Sequence, residues 1–222
     1  MIIFADEYFI AANKKPGVFS AKGKDGKNSI IENLSKEYGQ LYPVNRLDAP
    51  VSGIILFART QKAADNLSAQ LGTTAEKRYV CAVDNEPEEE SGKLENFLLF
   101  SGKGINKTYV KKASGKNTKK AVLYYNRICR TDNFVILEIL LKTGRKHQIR
   151  AQLSEIGCHI RGDLKYGAKR SNKGGGISLH AYSMKIKHPE TGEELNLFAP
   201  PPEDPVIQFA MDSNLLPSSF KK

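Results

Sequence analysis

Thiols are scarce in this chain. Its 222 residues include three cysteines, Cys81, Cys129 and Cys158. They lie far apart, form no CxxC pair and leave an odd one over, so neither a disulfide framework nor a zinc site is indicated. A reduced, cytoplasmic compartment is the expectation. No apolar run approaches the length a membrane span needs. Residues 1–10 carry Asp6 and Glu7 inside an apolar stretch and lack the basic start of a signal peptide, so they read as a first strand. Asn33, Asn66 and Asn106 open glycosylation sequons, which without a secretory signal read as chance. There is no glycine-rich phosphate loop, no dinucleotide fingerprint and no metal-ligand cluster, so no cofactor and no metal are expected.

Acidic residues are also in short supply. Against 34 Lys+Arg stand 24 Asp+Glu, a net charge of +10. An excess of that size implies a polyanionic partner. It is unevenly placed. Residues 101–120 hold Lys103, Lys107, Lys111, Lys112, Lys116, Lys119 and Lys120 and no acid. A second basic patch runs through Arg161, Lys165, Lys169, Arg170 and Lys173 into three glycines. Such stretches are either solvated loops or contacts to a nucleic-acid backbone. The acids concentrate in one run, Glu86 to Glu90.

The length suits one sizeable core, and one domain over residues 1–222, acting as a monomer, is the economical expectation. Strands read at residues 2–5, 8–12, 53–58, 78–83, 121–128, 134–141 and 180–187. Ser29 and Glu32 form a capping box ahead of a helix whose stripe is Ile30, Ile31, Leu34 and Tyr38, ending at Gly39. Thr60 caps a helix carrying Ala63, Ala64, Leu67 and Leu71, stopped at Gly72. A third helix runs from His147 to Ile156, and a short fourth near residues 206–211. Residues 103–117 and 169–176 read as a flexible hairpin or loop and a flexible tip. Strands with scattered helices indicate an α+β domain around one mixed, mostly antiparallel sheet.

Two segments carry the chemistry. Asn45-Arg46-Leu47-Asp48 lies in a turn just before the buried run Ile54–Ala58, so a carboxylate is held at a strand edge. By itself this pattern equally describes a structural ion pair or a turn-forming aspartate. A hundred residues later, Thr143-Gly144-Arg145-Lys146-His147-Gln148-Ile149-Arg150 joins another buried strand to a helix, putting polar groups where backbone N–H groups point outward and favour anions.

Together these segments resemble the RluA-type family of RNA pseudouridine synthases. Asn13-Lys14-Lys15-Pro16-Gly17 is similar to the family's early turn, Asn45 to Asp48 with Ser52-Gly53 to its catalytic motif, and Lys77-Arg78-Tyr79-Val80 to its tyrosine motif. Thr143 to Arg150 resembles the third motif. Gly162-Asp163 through Gly167, Leu179-His180-Ala181 and Phe198 to Pro202 resemble later landmarks. The resemblance implies the pseudouridine synthase fold with its active site in a cleft along the sheet. The landmarks begin by Asn13, so no N-terminal S4 domain is expected. It also implies an enzyme that isomerises uridines in ribosomal or transfer RNA.

On that resemblance, Asp48 is the reacting carboxylate, Arg150 its partner across the cleft and Tyr79 the ring beside the target base; a core strand tyrosine is the alternative for Tyr79. Whether Asp48 attacks C1′ or C6 or abstracts the 2′ proton stays open. A uridine in folded RNA must be flipped out, at a cost of a few kcal/mol. Arg46 matches the arginine that holds the vacated space. Arg145, His147 and Lys77 are assigned to substrate contact; for His147 a hydrogen-bonded support at the helix start is the competing reading. The chain departs from the family in Asn45, Val51, Lys146 and Arg161, none of which removes Asp48, Tyr79 or Arg150. Two rivals remain. One is a nucleoside glycosidase, which needs a second carboxylate, with Glu138 and Glu155 the nearest in pattern. The other is a non-catalytic RNA-binding or ribosome-associated module.

Overall fold

The computed structural model describes residues 1–21, 29–102 and 106–213. In chain order the elements are β1 (Ile2–Ala5), β2 (Phe9–Lys14), α1 (Ile30–Tyr38), β3 (Tyr42–Pro43), β4 (Ser52–Ala58), α2 (Gln61–Gly72), β5 (Glu76–Val83), β6 (Ser91–Ser101), β7 (Lys107–Lys111), β8 (Thr118–Arg130), β9 (Val135–Leu141), α3 (Gln148–Glu155), β10 (Leu179–Lys187), β11 (Glu194–Phe198) and α4 (Pro205–Asp212). None of these helices is long and apolar enough to cross a membrane.

The strands form one sheet in the order β1-β2-β4-β10-β5-β9-β8-β6-β7, with β11 against β10 and β3 against β4. Among the described strands only β4 and β10 pair in parallel, through His180↔Ser52 and Ala181↔Gly53. Glycine is required at that contact. Gly53 has φ +113, and a Cβ there would lie 2.3 Å from the Ala181 carbonyl oxygen, closer than any side chain tolerates. The Ser52-Gly53 pair therefore lets the strand that follows Asp48 start flush against β10. Ser52 Oγ lies 2.9 Å from His180 Nδ1, and His180 Nε2 lies 3.2 Å from the Ala199 carbonyl. That buried imidazole thus ties β4 to β10 and to the end of β11.

One sheet face packs α3 and the turn around Asp48 into a core with Leu47, Val51, Tyr79, Leu137, Ile139 and Leu153. On the opposite face α4 sets Ile207 and Ala210 on Val80, Ala82 and Ile136. The alternation along β5 and β9 is what sends neighbouring residues to different cores. Further along the sheet, Leu67 of α2 packs with Phe9, Ile54 and Leu56. The α1 stripe of Ile30, Ile31, Leu34 and Tyr38 packs on Ile10, Ile55 and Phe57. Burying one such leucine or phenylalanine contributes about 1.5–3 kcal/mol.

The capping box at α1 is formed: Ser29 Oγ accepts the Glu32 N–H at 3.3 Å and the Ser29 N–H donates to Glu32 Oε2 at 3.1 Å. Thr60 Oγ1 accepts the Ala63 N–H at 3.1 Å. β6, β7 and β11 are absent from the sequence reading. β6 buries only Leu98 among its residues, so it carries no clean apolar signal; its pairing with β8 holds it, over Ser91↔Asn126 to Leu99↔Thr118. β7 lies within the lysine-rich stretch and pairs with β6 from Ser101↔Lys107 to Phe97↔Lys111. Lys103 lies outside the described residues. The acidic run has a local use: Arg127 pairs with Glu86 and Glu90.

Candidate active site

The Asp48 turn is fastened from three sides. Asn45 Oδ1 accepts the Leu56 N–H at 2.7 Å, which binds the turn to β4. Ser20 Oγ donates to the Leu47 carbonyl at 2.7 Å and accepts its N–H at 3.1 Å. Lys14 is fully buried, and its Nζ donates to the carbonyls of Lys15, Val18 and Ala49 at 3.0, 2.8 and 3.1 Å. Burial pushes that amine down to about 8, against the Asp48 charge, which raises it. Three carbonyl dipoles satisfy its three donors.

The facing wall is the β9–α3 junction. Gln148 is buried; its Oε1 accepts from the Arg145 N–H at 3.0 Å and the Thr143 hydroxyl at 2.8 Å, and its Nε2 donates to the Val122 carbonyl at 3.1 Å. This folds residues 143–147 tightly and brings the first turn of α3 against Asp48. His147, at the helix start, adopts φ 53, a left-handed conformation uncommon outside glycine and asparagine.

Arg150 projects from that turn. Its Nη1 donates to Asp48 Oδ2 at 2.9 Å. Its Nε and Nη2 donate to Asp163 Oδ2 and Oδ1 at 2.6 and 2.7 Å, a two-pronged pair. The guanidinium lies 4.8 Å from the centre of the Tyr166 ring. Burial lowers its pKa; hydrogen bonds and charge from Asp163 and Asp48 outweigh this and raise it, so the cation is permanent. The Asp48 side chain is 22% exposed and that of Asp163 1% exposed, so only Asp48 opens to solvent. Tyr79, on β5, is buried in the core that Leu47 and Val51 share. Burial first, then the Asp48 charge, pushes its phenol above the ordinary value.

Asp48 and Arg150 are thus brought into contact, with Tyr79 in the core that adjoins the Asp48 turn. Arg46 is exposed, and among the described residues no carboxylate pairs with it. Arg145 is exposed and donates from Nε to the Lys120 carbonyl at 3.1 Å. Lys77 is buried and donates to the Leu71 carbonyl at the end of α2, so substrate contact through it requires that tie to break. His147, read as a substrate contact or as a hydrogen-bonded support at the helix start, is buried with its ring turned inward, the position a support takes. Its Nδ1 is 2.8 Å from the Tyr166 hydroxyl and its Nε2 is 3.7 Å from Asp48 Oδ1.

The sequence places Asp163 in the Gly162–Gly167 landmark and gives it no role. The signal that could have found it is charge arithmetic: a buried arginine needs a carboxylate buried with it. Glu138 and Glu155 do not serve as a second acid. Glu138 is buried against Arg78 and the Tyr182 hydroxyl, and Glu155 is exposed at the end of α3. No metal-binding group of three His, Cys, Asp or Glu side chains occurs among the described residues.

Residues 8–155 match the family described as RNA pseudouridylate synthase. The uncharacterized RNA pseudouridine synthase YlyB of Bacillus subtilis is 30% identical over 214 residues, 91% of this chain and 69% of that protein. The tRNA pseudouridine synthase C of Vibrio parahaemolyticus is 30% identical over 87% of each chain. Among solved structures, human RNA Pseudouridylate Synthase Domain Containing 4 superposes with a TM-score of 0.75 at 22% identity, covering 94% of this chain and 91% of that one; this likeness bears on the fold alone. The match covers the Asp48 turn, β5 and the start of α3, and on that basis the chain belongs to the RNA pseudouridylate synthase family.

Proposed function

We propose that the protein isomerises uridine to pseudouridine in ribosomal or transfer RNA, as a single catalytic domain, with Asp48 as its reacting carboxylate. The observation that carries this is the half-open Asp48, hydrogen-bonded by Arg150 at 2.9 Å on a wall shared with buried Tyr79. Isomerisation breaks the N1–C1′ bond and rejoins the same base through C5, so atoms and electrons balance within one nucleotide. A carboxylate pinned through one oxygen leaves the other to face the ribose and base. Arg150 fixes its direction and offsets its charge, and Tyr79 supplies a flat, uncharged flank for the extruded base. Arg46, exposed two residues before Asp48, is suited to hold the gap left in the RNA.

The exposed lysines of the β6–β8 region, Lys111, Lys112, Lys116 and Lys119, supply phosphate contacts. Hydrolysis of the glycosidic bond is disfavoured because the second carboxylate near Asp48 is Asp163, sealed and fully engaged by Arg150. Pure RNA binding does not account for a partly exposed carboxylate held by a buried arginine on a protein of net charge +10.

The test uses RNA tritiated at uridine C5. Release of tritium with no free uracil supports the assignment; free uracil indicates hydrolysis; neither, with tight binding, indicates a binding module. Asp48→Asn abolishes release and holds RNA affinity within a few-fold. Retained turnover in that variant removes Asp48 from its role. Mapping pseudouridines in ribosomal and transfer RNA with and without the protein identifies the target.

A further inference from the structure

Asp48 has two unequal oxygens. Oδ2 is held by Arg150 at 2.9 Å, while Oδ1 faces His147 Nε2 at 3.7 Å. Which form of the imidazole faces Oδ1 matters: an N–H there attracts a carboxylate, and a bare lone pair repels it. The choice is made on the other side of the ring. His147 Nδ1 lies 2.8 Å from the Tyr166 hydroxyl, and that hydroxyl accepts the backbone N–H of Thr108 at 2.8 Å. Tyr166 is 2% exposed; besides His147, its hydroxyl meets Thr108, through both the backbone N–H and the threonine side chain. A backbone N–H is always a donor, and of the acceptors near the phenol the Nδ1 lone pair, at 2.8 Å, is the one placed for a full hydrogen bond from the tyrosine's single proton. The opposite tautomer would take that 2.8 Å acceptor from the buried O–H and leave it the poorer contact to the Thr108 side chain, a loss of about 1 kcal/mol.

We infer that Tyr166 is a positioning residue: its hydroxyl, oriented by the Thr108 N–H, holds His147 as the Nε2–H tautomer with that N–H aimed at Asp48 Oδ1. The inference rests on Asp48 being the reacting carboxylate, and it adds a neutral donor opposite the Arg150 cation. Three features fit. The left-handed backbone at His147 turns the ring inward in place of a side-chain helix cap. The imidazole is kept neutral: burial pushes its pKa down, and Arg150, Lys146 and Lys165 act in the same direction against Asp48. The Tyr166 ring is itself fixed, with Arg150 on it at 4.8 Å and Lys107 at 5.0 Å. Thr108 also donates its hydroxyl to the Lys146 carbonyl at 2.8 Å, docking β7 on the residue before His147. The oxygen left by Arg150 thus faces an N–H dipole at 3.7 Å, beyond hydrogen-bond contact, so it stays available to substrate and the site gains no second positive charge.

The test is nitrogen-15 NMR of the imidazoles, with His147 assigned by loss of its signal in His147→Asn; asparagine tolerates the left-handed backbone. In the unmodified protein the proton resides on Nε2 alone. In Tyr166→Phe, which keeps the ring beneath Arg150, both tautomers appear. The single-turnover rate then falls about ten-fold, with RNA affinity unchanged. A proton on Nδ1 in the unmodified protein overturns the inference, and so does a Tyr166→Phe variant with unchanged tautomer and rate. If Tyr166→Phe does not fold, the unmodified spectrum decides alone. Asp48→Asn that retains turnover would defeat the catalytic assignment without altering the tautomer, so the two failures are distinguishable.

Discussion

Asp48 and Asp163 share one guanidinium but not one environment. Arg150 donates once to Asp48 and twice to Asp163, and the first side chain is 22% exposed where the second is 1% exposed. The sealed acid stabilises the buried cation, and the open acid is presented to whatever enters the cleft. Asp163→Asn keeps the shape and removes the charge. The expected outcome is a loss of about 3–5 kcal/mol in urea unfolding together with a large drop in turnover. A stability within 1 kcal/mol of the parent would show that Arg150 is held by other means.

Gly53→Ala tests the parallel β4–β10 contact. Its φ of +113 and the 2.3 Å approach to Ala181 leave no room for a methyl group. A cost above about 3 kcal/mol is expected from strain and overpacking together, read as a lowered unfolding midpoint or insoluble protein. A stable, active variant would mean that β4 can pull away from β10 without harm.

Acid should weaken the fold earlier than carboxylate titration alone would. Burial pushes His180 down to about 4 and lowers His147 as well. In the unfolded chain both take up protons near 6.5. The unfolded state therefore binds more protons below that value, and stability must fall as pH drops. This contribution is fully present above about pH 6.5 and is lost progressively toward pH 4. The limiting slope is about 1.4 kcal/mol per pH unit for each ring. Urea midpoints at pH 7, 6 and 5 measure it; an unchanged midpoint would contradict two neutral, buried imidazoles.

Lys111, at the end of β7, and Lys112 and Lys116, in the connection to β8, are exposed. Replacing all three with glutamine should weaken RNA binding without slowing turnover at saturating RNA. Each lost phosphate contact lowers the slope of log affinity against log salt by about 0.7–0.9. Titrations at several salt concentrations decide the matter, and an unaltered slope would place the RNA elsewhere on the molecule.

Much of this was legible along the chain because it is local. The capping box at Ser29, the Thr60 cap and the apolar runs of β4, β5 and β9 depend on residues within a few positions of one another, and all formed where periodicity placed them. β6 and β7 were not legible, since half-exposed strands draw their stability from hydrogen bonds to partners rather than from their own apolar pattern. His147 illustrates the same divide. Its position at a helix start was plain from the sequence, but its inward turn required a left-handed backbone and a tyrosine nineteen residues away.

The order of residues alone determined which side chains could carry the chemistry, the basic character of the surface and an α+β sheet, because residue type, net charge and short-range periodicity are written directly into the chain. Tertiary structure decided that Asp48 meets Arg150 across 102 positions, that Asp163 closes off the far side of the guanidinium and that Tyr166 stands behind His147. Such pairings depend on sheet register and on which groups lose water together, and neither is a property of any short stretch of sequence.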